Sequence, residues 1–222
     1  MTLFETATRT PLLFRVPWIQ ASVGARTNTV VELVSLYRTL ADLAGIPDAA
    51  IESGVQGQNF ASVIRNNGAG GDSSWTGSRP AMHRSIDASA VDASPPLREE
   101  PPIGFALSQM TRCAKPNASA TNSQGYDPCA KTPGMLMEYS YMGYSIRTME
   151  WRFSIWAIWN ATTLCPNWSS PANVFELYDH RDDTAAVDFD GTENVNVAGE
   201  NENAAVVTEM AEHAKAWFGC IH

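Results

Sequence analysis

The chain has 222 residues, of which 44% are hydrophobic, and a net charge of −9 from 24 acidic and 15 basic residues. This length suffices for a domain of ordinary size with an apolar core. Because an acidic surface repels phosphate backbones, we expect no nucleic-acid partner. No stretch approaches the roughly 20 apolar residues that span a bilayer, so we expect no membrane partner. The first ten residues lack a basic leader and an apolar core, and therefore predict no targeting signal.

The beginning of the chain predicts a strand followed by a helix, which is typical of α/β layering. Residues 11–17 are apolar and short, as in a buried strand. Thr29 and Glu32 have the spacing of a capping box, which starts a helix over residues 30–44. Gly45 ends this helix. Apolar residues recur in it every three or four positions and predict one apolar face. They are Leu33, Leu36, Tyr37, Leu40 and Leu43.

Residues 66–102 are rich in Gly, Ser, Ala and Pro and show no sustained periodicity. Such a composition predicts a flexible insertion. It divides the chain into a first domain at residues 1–65, the insertion at 66–102, and a C-terminal subdomain at 103–222. We expect His83, within the insertion, to face solvent.

The C-terminal subdomain predicts a sheet covered by a helix. Residues 103–109 form a first strand candidate. Residues 143–147 and 151–159 form a hairpin, because their side chains alternate about a short turn. Residues 174–178 form a further strand. Asn203 is placed to cap a final helix. The helix faces inward with Val206, Val207, Met210, Ala214, Trp217 and Phe218.

Several side chains of this subdomain allow two interpretations. Trp151, Trp156 and Trp159 could stack on sugar rings, but alternate strand positions favour a place in the core. Because Trp156 lies on the face that begins with Arg152, we expect both faces of the strand to be covered. We expect His213, on the last helix, to be a surface or boundary residue rather than a ligand.

The cysteines and three triplets bear on the cellular compartment. No C-x-x-C pair occurs, so the sequence does not predict a zinc site. Cys113 and Cys129 lie in a loop rich in Pro, Asn and Ser and are candidates for a disulfide. Asn117, Asn160 and Asn167 each begin an N-x-[ST] triplet and are candidates for glycosylation. Together these features favour the secretory pathway.

The sequence contains no H-E-x-x-H, P-loop, G-x-G-x-x-G or G-x-S-x-G motif. Residues 179–183, Asp-His-Arg-Asp-Asp, are the best local candidate for a calcium or magnesium site. The alternative is a solvated acidic turn that closes a strand. We favour the turn, because Arg181 would repel a cation. We therefore predict no catalytic and no metal-binding residue in this chain.

Several segments of the chain resemble the sulfatases, in particular those of the iduronate-2-sulfatase type. The first segment is Phe4-Glu-Thr-Ala-Thr-Arg-Thr-Pro-Leu-Leu-Phe-Arg-Val-Pro17, and the second runs from Val31 to Pro47. A third begins Phe105-Ala-Leu-Ser-Gln. The last are Met142-Gly-Tyr-Ser-Ile-Arg-Thr and Glu176-Leu-Tyr-Asp-His-Arg. This resemblance implies an α/β fold. The chain would be the C-terminal remnant of an alkaline-phosphatase-like sandwich, with a small subdomain of antiparallel sheet and terminal helix.

The resemblance also implies a chemistry that this chain cannot supply alone. Sulfatases hydrolyse sulfate esters with a formylglycine, made from the cysteine of a C-x-P-S-R motif, and a calcium ion. Cys113 and Cys165 both lack the Pro-Ser-Arg continuation. By register, the family's active-site lysine falls just before Met1. We therefore expect calcium and formylglycine in a missing N-terminal part, and inactivity of this chain alone.

Three hypotheses follow from these observations. The first is the C-terminal part of a lysosomal or extracellular sulfatase, whose partner is its missing N-terminal half and whose substrate is a sulfated carbohydrate such as a glycosaminoglycan. The second is a non-enzymatic glycan-binding or interaction module derived from a sulfatase. The third is an unrelated hydrolase that uses residues 179–183. Under the first hypothesis, residues 11–17 and 30–44 expose apolar faces in isolation, so we expect the isolated chain to aggregate.

Overall fold

The computed structural model describes residues 2–66, 103–112, 140–182 and 191–220. These parts of the chain combine helices with an antiparallel sheet, which agrees with the predicted mixture of α and β structure. Within the same ranges, no helix is long and apolar enough to cross a bilayer.

The helices are α1 (Glu5–Thr8), α2 (Leu36–Leu43), α3 (Ala61–Arg65) and α4 (Ala204–Phe218). Short 3₁₀ turns lie at Gln20–Ser22, Leu33–Ser35, Asp48–Ala50 and Asn201–Asn203. The strands are β1 (Ala106–Arg112), β2 (Tyr141–Arg147), β3 (Trp151–Asn160), β4 (Cys165–Asn167) and β5 (Val174–Asp179).

The ten-residue strand β3 is the centre of the sheet. It pairs with β2 along one side, and β2 pairs in turn with β1. Along its other side, β3 pairs with β5 in its first part and with β4 at its end. All four pairings are antiparallel. The predicted hairpin is thus confirmed, as is the strand predicted at residues 174–178. The first strand lies at Ala106–Arg112, three residues later than predicted.

One face of the sheet forms the main core with α4. Phe153, Ile155 and Ala157 have no solvent exposure, because the helix covers them. Met210 and Trp217 reach this core from α4, so the predicted final helix is confirmed. The predicted role of Asn203 is wrong in detail. Its side-chain amide donates to the Val197 carbonyl at 3.1 Å and to Glu200 instead of accepting a helix N–H.

The opposite face of the sheet is also covered, as predicted. Arg152 and Ser154 on this face are buried. Trp156 lies there too and packs against Gly143, where an added Cβ would approach the indole Cζ3 to 2.6 Å. Trp151 and Trp156 are buried and Trp159 is partly buried, which confirms the core interpretation of these residues.

An N-terminal layer, residues 2–66, lies against the polar face of the sheet. Its own small core contains Val16, Leu43 and Ala61. Two bonds attach it to the segment that leads into and begins β1. The Gly104 N–H donates to the Val30 carbonyl at 3.0 Å, and the Leu107 N–H donates to the Glu32 carboxylate at 2.8 Å.

The strand predicted at residues 11–17 is wrong. The segment is irregular and, within the described ranges, pairs with no strand. Prolines bound it at both ends and lack the N–H that a ladder needs. Leu13 is 90% exposed, and only Val16 is buried. Its apolar character therefore did not indicate burial in this part of the molecule.

The helix predicted over residues 30–44 is shorter than expected, and its apolar face points outward. It begins at Leu36 after a 3₁₀ turn. The capping box is wrong, because the Thr29 hydroxyl contacts Thr27 at 2.7 Å and Glu32 bonds to β1. Of the predicted apolar face, Leu43 is buried and Leu36 is partly buried. The other members are exposed, namely Leu33, Tyr37 and Leu40.

A disulfide joins Cys165 in β4 to Cys220 just after α4, and the sequence did not predict this pairing. The bond fastens the end of the helix to the strand beside β3. It closes a loop with a sequence separation of 55 residues. Cys113 and Cys129, the predicted pair, lie outside the described residues, as do His83 and Asn117. The insertion proposed at residues 66–102 lies outside them too, apart from its first residue.

We predict that Cys165→Ser lowers the free energy of unfolding by about 2–5 kcal/mol, because the unfolded chain regains the freedom of a long closed loop. Urea denaturation followed by tryptophan fluorescence measures this loss. Cys220→Ser is the matched control and gives the same loss, and the double variant loses no more than either. Additive losses would contradict a shared bond.

Candidate functional site

A cleft of about 740 Å³ lies between the N-terminal layer and the polar face of the sheet. The layer contributes residues 8–12, 14 and 27–33 to its walls, and the sheet contributes residues 106–108. Hydroxyl groups of Thr8 and Ser108 line it beside apolar side chains. Charged groups gather where the two walls meet. Five charged or titratable side chains, from both walls and from the segment after β5, meet at the base of this cleft.

The ion network at the base of the cleft consists of Glu5, Arg147, Arg152, His180 and Glu193. Arg152 is its centre and is 1% exposed. Its guanidinium donates to Glu5 at 2.5 Å, to Thr8 at 3.2 Å, and to Glu193. A charge in such a position is stable only when paired and fully hydrogen-bonded.

Glu5 brings the N-terminal layer into the network. It lies in α1, a single helical turn, and is itself buried. Its Oε1 accepts from Arg147 Nε at 2.7 Å as well as from Arg152. Its backbone N–H donates to Glu193 Oε2 at 2.7 Å. Glu5 therefore joins strands β2 and β3 to the layer, and to the segment after β5.

His180 and Glu193 complete the network from the other end of the chain. His180 immediately follows β5, and its side chain has no solvent exposure. His180 Nε2 lies 3.3 Å from Glu193 Oε1. The same oxygen accepts from Arg152, so the His180 imidazole and the Arg152 guanidinium meet at one oxygen of Glu193.

The electrostatics of the two glutamates follow from this geometry. Burial raises the pKa of Glu5, but the charges and hydrogen bonds of Arg147 and Arg152 outweigh it and hold the pKa below its ordinary value. Burial likewise raises the pKa of Glu193. The hydrogen bond from His180 and the charge of Arg152 outweigh that effect and lower the pKa. Both groups are carboxylates near neutral pH, and they balance the two arginines.

Two serines continue the polar contacts beneath the ion network. Arg152 Nη1 donates to Ser145 Oγ at 3.3 Å. The Ser145 hydroxyl donates to the Phe153 carbonyl at 3.1 Å, and Ser154 Oγ lies 3.1 Å from Ser145 Oγ. Ser145 and Ser154 face each other across β2 and β3 and are fully buried. Their position explains why polar residues interrupt an otherwise apolar hairpin.

The segment at residues 179–183, predicted to be a solvated acidic turn, is exposed in only part of its length. Asp179 accepts from Arg181 Nη2 at 2.5 Å, and Arg181 and Asp182 are exposed, as in the predicted turn. The Arg181 guanidinium also lies 4.6 Å from the Trp151 ring centre. His180, however, is buried, so it does not belong to a solvated turn. Asp183 lies outside the described residues.

The remaining candidate residues lie away from the cleft. Asn160 and Asn167 are exposed at the ends of β3 and β4. His213 is a boundary residue on α4, as expected, and stacks on Trp217 with ring centres 4.7 Å apart. Within the described ranges, no group of three or more His, Cys, Asp or Glu side chains could hold a metal ion.

The two carboxylates of the ion network therefore hold the walls of the cleft together rather than serve as bases. Each carboxylate of the ion network is bonded to an arginine, so neither is placed to take a proton from a ligand at neutral pH. No pattern in the sequence predicted that Glu5, Arg152 and Glu193 would meet. Arg152 could have been noticed, because a lone charge within a buried strand requires a partner. Its partners lie 147 and 41 residues away, and no local pattern points to them.

Comparison with known proteins supports a relationship to the sulfatase family, with the chain corresponding to part of the C-terminal region. One similar protein is iduronate 2-sulfatase of Mus musculus, which is 24% identical over 240 residues. The alignment covers 93% of this chain and 36% of the mouse protein, so the chain spans about a third of that relative's length. No family profile matches the sequence.

We predict that Arg152→Met lowers the free energy of unfolding by about 3–5 kcal/mol, because Glu5 and Glu193 are then left buried without their shared cation. Urea denaturation measures the loss. Arg181→Met is the matched control. Its pair with Asp179 is exposed, so it changes the same quantity by less than about 1 kcal/mol. Equal effects of the two substitutions would contradict a structural role for the ion network.

We predict that the chain loses stability as pH falls below about 4.5, the ordinary pKa of a glutamate. Glu5 and Glu193 have lowered pKa values when folded, so below that pH the unfolded chain binds more protons. Their contribution is present above the unfolded pKa and disappears as pH falls through the folded values. Urea midpoints across an acid pH series measure this dependence.

Two control variants are expected to change this pH dependence in opposite directions. Glu193→Gln flattens the loss of stability at low pH, because one of the two responsible groups is gone. Glu209→Gln steepens it, because burial and the nearby charge of Glu212 raise the pKa of Glu209. A wild-type midpoint that is constant through this range would contradict the assignment.

Proposed function

We propose that this chain is the C-terminal part of a sulfatase and takes part in the hydrolysis of sulfate esters. The observation that carries the proposal is the similarity to iduronate 2-sulfatase along 93% of the chain. The name of that relative specifies the 2-sulfate of iduronate, so we propose a sulfated sugar, such as a glycosaminoglycan, as the substrate class. The chain contributes a folded wall beside the site, consistent with a cleft whose walls are held together by the ion network.

A second segment supplies the reacting groups in this proposal. Sulfate ester hydrolysis of this type needs a formylglycine nucleophile and a calcium ion. The sequence contains no C-x-P-S-R motif from which the formylglycine could be made. We therefore propose that the N-terminal part of a sulfatase is the partner of this chain, and that the chain alone is inactive.

The distribution of exposed apolar side chains supports such a partner. Among the described residues, nine of the thirteen large apolar side chains that are exposed lie between residues 12 and 46. Leu33, Tyr37 and Leu40 form a continuous stripe of them on and just before α2. A contiguous apolar face of this kind is typical of a surface that another element covers. Covering it stabilises the assembly by about 25 cal/mol for each Å² removed from water.

The ion network joins the two proposed parts of the chain. In the proposal, residues 1–65 are the end of the α/β catalytic domain, residues 66–102 an insertion, and residues 103–222 the C-terminal subdomain. Glu5 is the residue of the first part that the arginines of β2 and β3 bind. The network then fixes the subdomain against the catalytic domain.

We also propose a secretory destination, lysosomal or extracellular. The disulfide between Cys165 and Cys220 supports it, because such bonds persist in oxidising compartments. The alternative of a non-enzymatic module that binds glycans by aromatic stacking has less support, because Trp151 and Trp156 are buried.

A chimera tests the proposed function. The matching region of mouse iduronate 2-sulfatase is replaced with this chain, and hydrolysis of a fluorogenic sulfate ester is measured after secretion. We expect turnover by the chimera, none by the mouse enzyme truncated before that region, and none by this chain alone. A secreted, folded chimera without turnover would contradict the proposal.

The self-association of the isolated chain in solution provides a second test. Because the apolar stripe is uncovered in isolation, the chain alone self-associates on size exclusion, and Leu40→Glu reduces this association. Val195→Glu is the matched control, since Val195 is 66% exposed against 52% for Leu40 but lies outside the stripe. A monomeric wild-type chain with cooperative unfolding would favour the independent module.

A further inference from the structure

We propose that Asn160 is the acceptor of an N-linked oligosaccharide, attached through its side-chain Nδ2. The proposal rests on the secretory destination proposed above. It concerns the edge turn, residues 160–164, which joins β3 to β4. This turn takes no part in the cleft or in the ion network.

The edge turn has the local geometry that the acceptor triplet needs. Asn160 Oδ1 accepts from the backbone N–H groups of Thr162 at 2.9 Å and Thr163 at 3.1 Å. These bonds fold the triplet Asn160-Ala-Thr162 back on itself and bring Thr162 beside the Asn160 side chain. The Asn160 oxygen is thereby occupied within the turn, while the nitrogen is the atom that carries the sugar.

The folded protein leaves room for the sugar. N-glycans are added to chains that have not finished folding, so the native structure must expose every modified asparagine. Asn160, Thr162 and Thr163 are all exposed, and Leu164 beside them is 62% exposed. The disulfide fixes the turn, because Cys165 is the ladder partner of Asn160. A bulky group here meets solvent rather than the core.

The position of the turn also agrees with the rest of the assembly. α4 covers one face of the sheet, and the N-terminal layer lies on the other. Among the described strands, β4 pairs only with β3, so its outer side is an edge of the sheet. Edges of this kind are liable to pair with other chains, and a glycan protects them sterically. A sugar at Asn160 therefore shields Leu164 and this edge.

The Asn160 triplet and the neighbouring Asn167 triplet differ in the side chains that contact them. At Asn167, the side chain of Asn173 donates to the carbonyls of Asn167 and Trp168. Trp168, in the middle of that triplet, packs on Tyr144 with ring centres 5.1 Å apart. The corresponding central residue of the Asn160 triplet is a small alanine. Of these two triplets, both with an exposed asparagine and an exposed hydroxyl residue, the Asn160 triplet is thus the one whose central residue makes no aromatic contact that would crowd a sugar.

The modification is a simple group transfer. The donor is an oligosaccharide linked through pyrophosphate to a lipid. Asn160 Nδ2 attacks the anomeric carbon, the bond from that carbon to the pyrophosphate oxygen breaks, and the lipid pyrophosphate leaves. Nδ2 gives up one proton to a base of the transferase, and no oxidant or reductant is needed.

The test uses the full chain, secreted from a glycosylating eukaryotic cell behind a cleavable leader. Glycans are removed with an amidase in water labelled with ¹⁸O, which converts a modified asparagine into labelled aspartate. Residues 153–181 form one tryptic peptide, because no Lys or Arg lies between Phe153 and Arg181. Fragmentation of this peptide therefore separates label at Asn160 from label at Asn167. We expect label at Asn160.

Matched variants make the result decisive. Thr162→Ala removes the label at Asn160 and one glycan from the intact protein, whereas Thr162→Ser keeps both. Thr163→Ala also keeps both, because Thr163 is not part of the triplet. Secreted protein with unlabelled Asn160, or label that survives Thr162→Ala, would overturn the proposal. Because the leader is supplied, either result is independent of the sulfatase activity tested with the chimera.

Discussion

The burial of one guanidinium group is the constraint on which the rest of this structure depends. Arg152 lies in the central strand and is removed from water, so its charge must be balanced inside the protein. The balancing groups come from α1, at the start of the chain, and from the segment after β5. One buried cation thus requires the N-terminal layer, the hairpin and the last loop to meet. Without that meeting, the polar face of the sheet would have no stable cover.

The sequence predicted those elements whose interacting residues lie close together along the chain. The hairpin formed as predicted because alternation and a short turn specify it locally. The helix α4 formed as predicted because its apolar positions face the same sheet. The ion network could not be predicted, since Glu5 and Arg152 are 147 residues apart. The bond between Cys165 and Cys220 was missed for the same reason, because pairing depends on the tertiary fold.

The errors in the N-terminal layer have a different cause. The apolar periodicity of residues 30–44 predicts a face that points into the core, yet Leu33, Tyr37 and Leu40 are exposed. Instead, Thr39 and Ala41 face inward, and the Thr39 hydroxyl accepts from the Phe60 N–H at 3.1 Å. Periodicity identifies a face that avoids water but does not say which element covers it. The strand predicted at residues 11–17 is wrong for a related reason. An apolar run does not show whether a neighbouring strand is present to accept and donate its backbone hydrogen bonds.

In the proposed function, the ion network and the apolar stripe give a chain without a nucleophile motif two separate roles. Positioning residues contribute when they hold reacting groups within a fraction of an ångström, and a rigid support is needed for that. The ion network supplies rigidity, because each of its carboxylates is fixed by at least two donors. The apolar stripe supplies attachment, because its cover must be another apolar surface. The groups that balance Arg152 all lie within this chain, whereas the stripe is uncovered, so in the proposed assembly the wall can form before its partner binds.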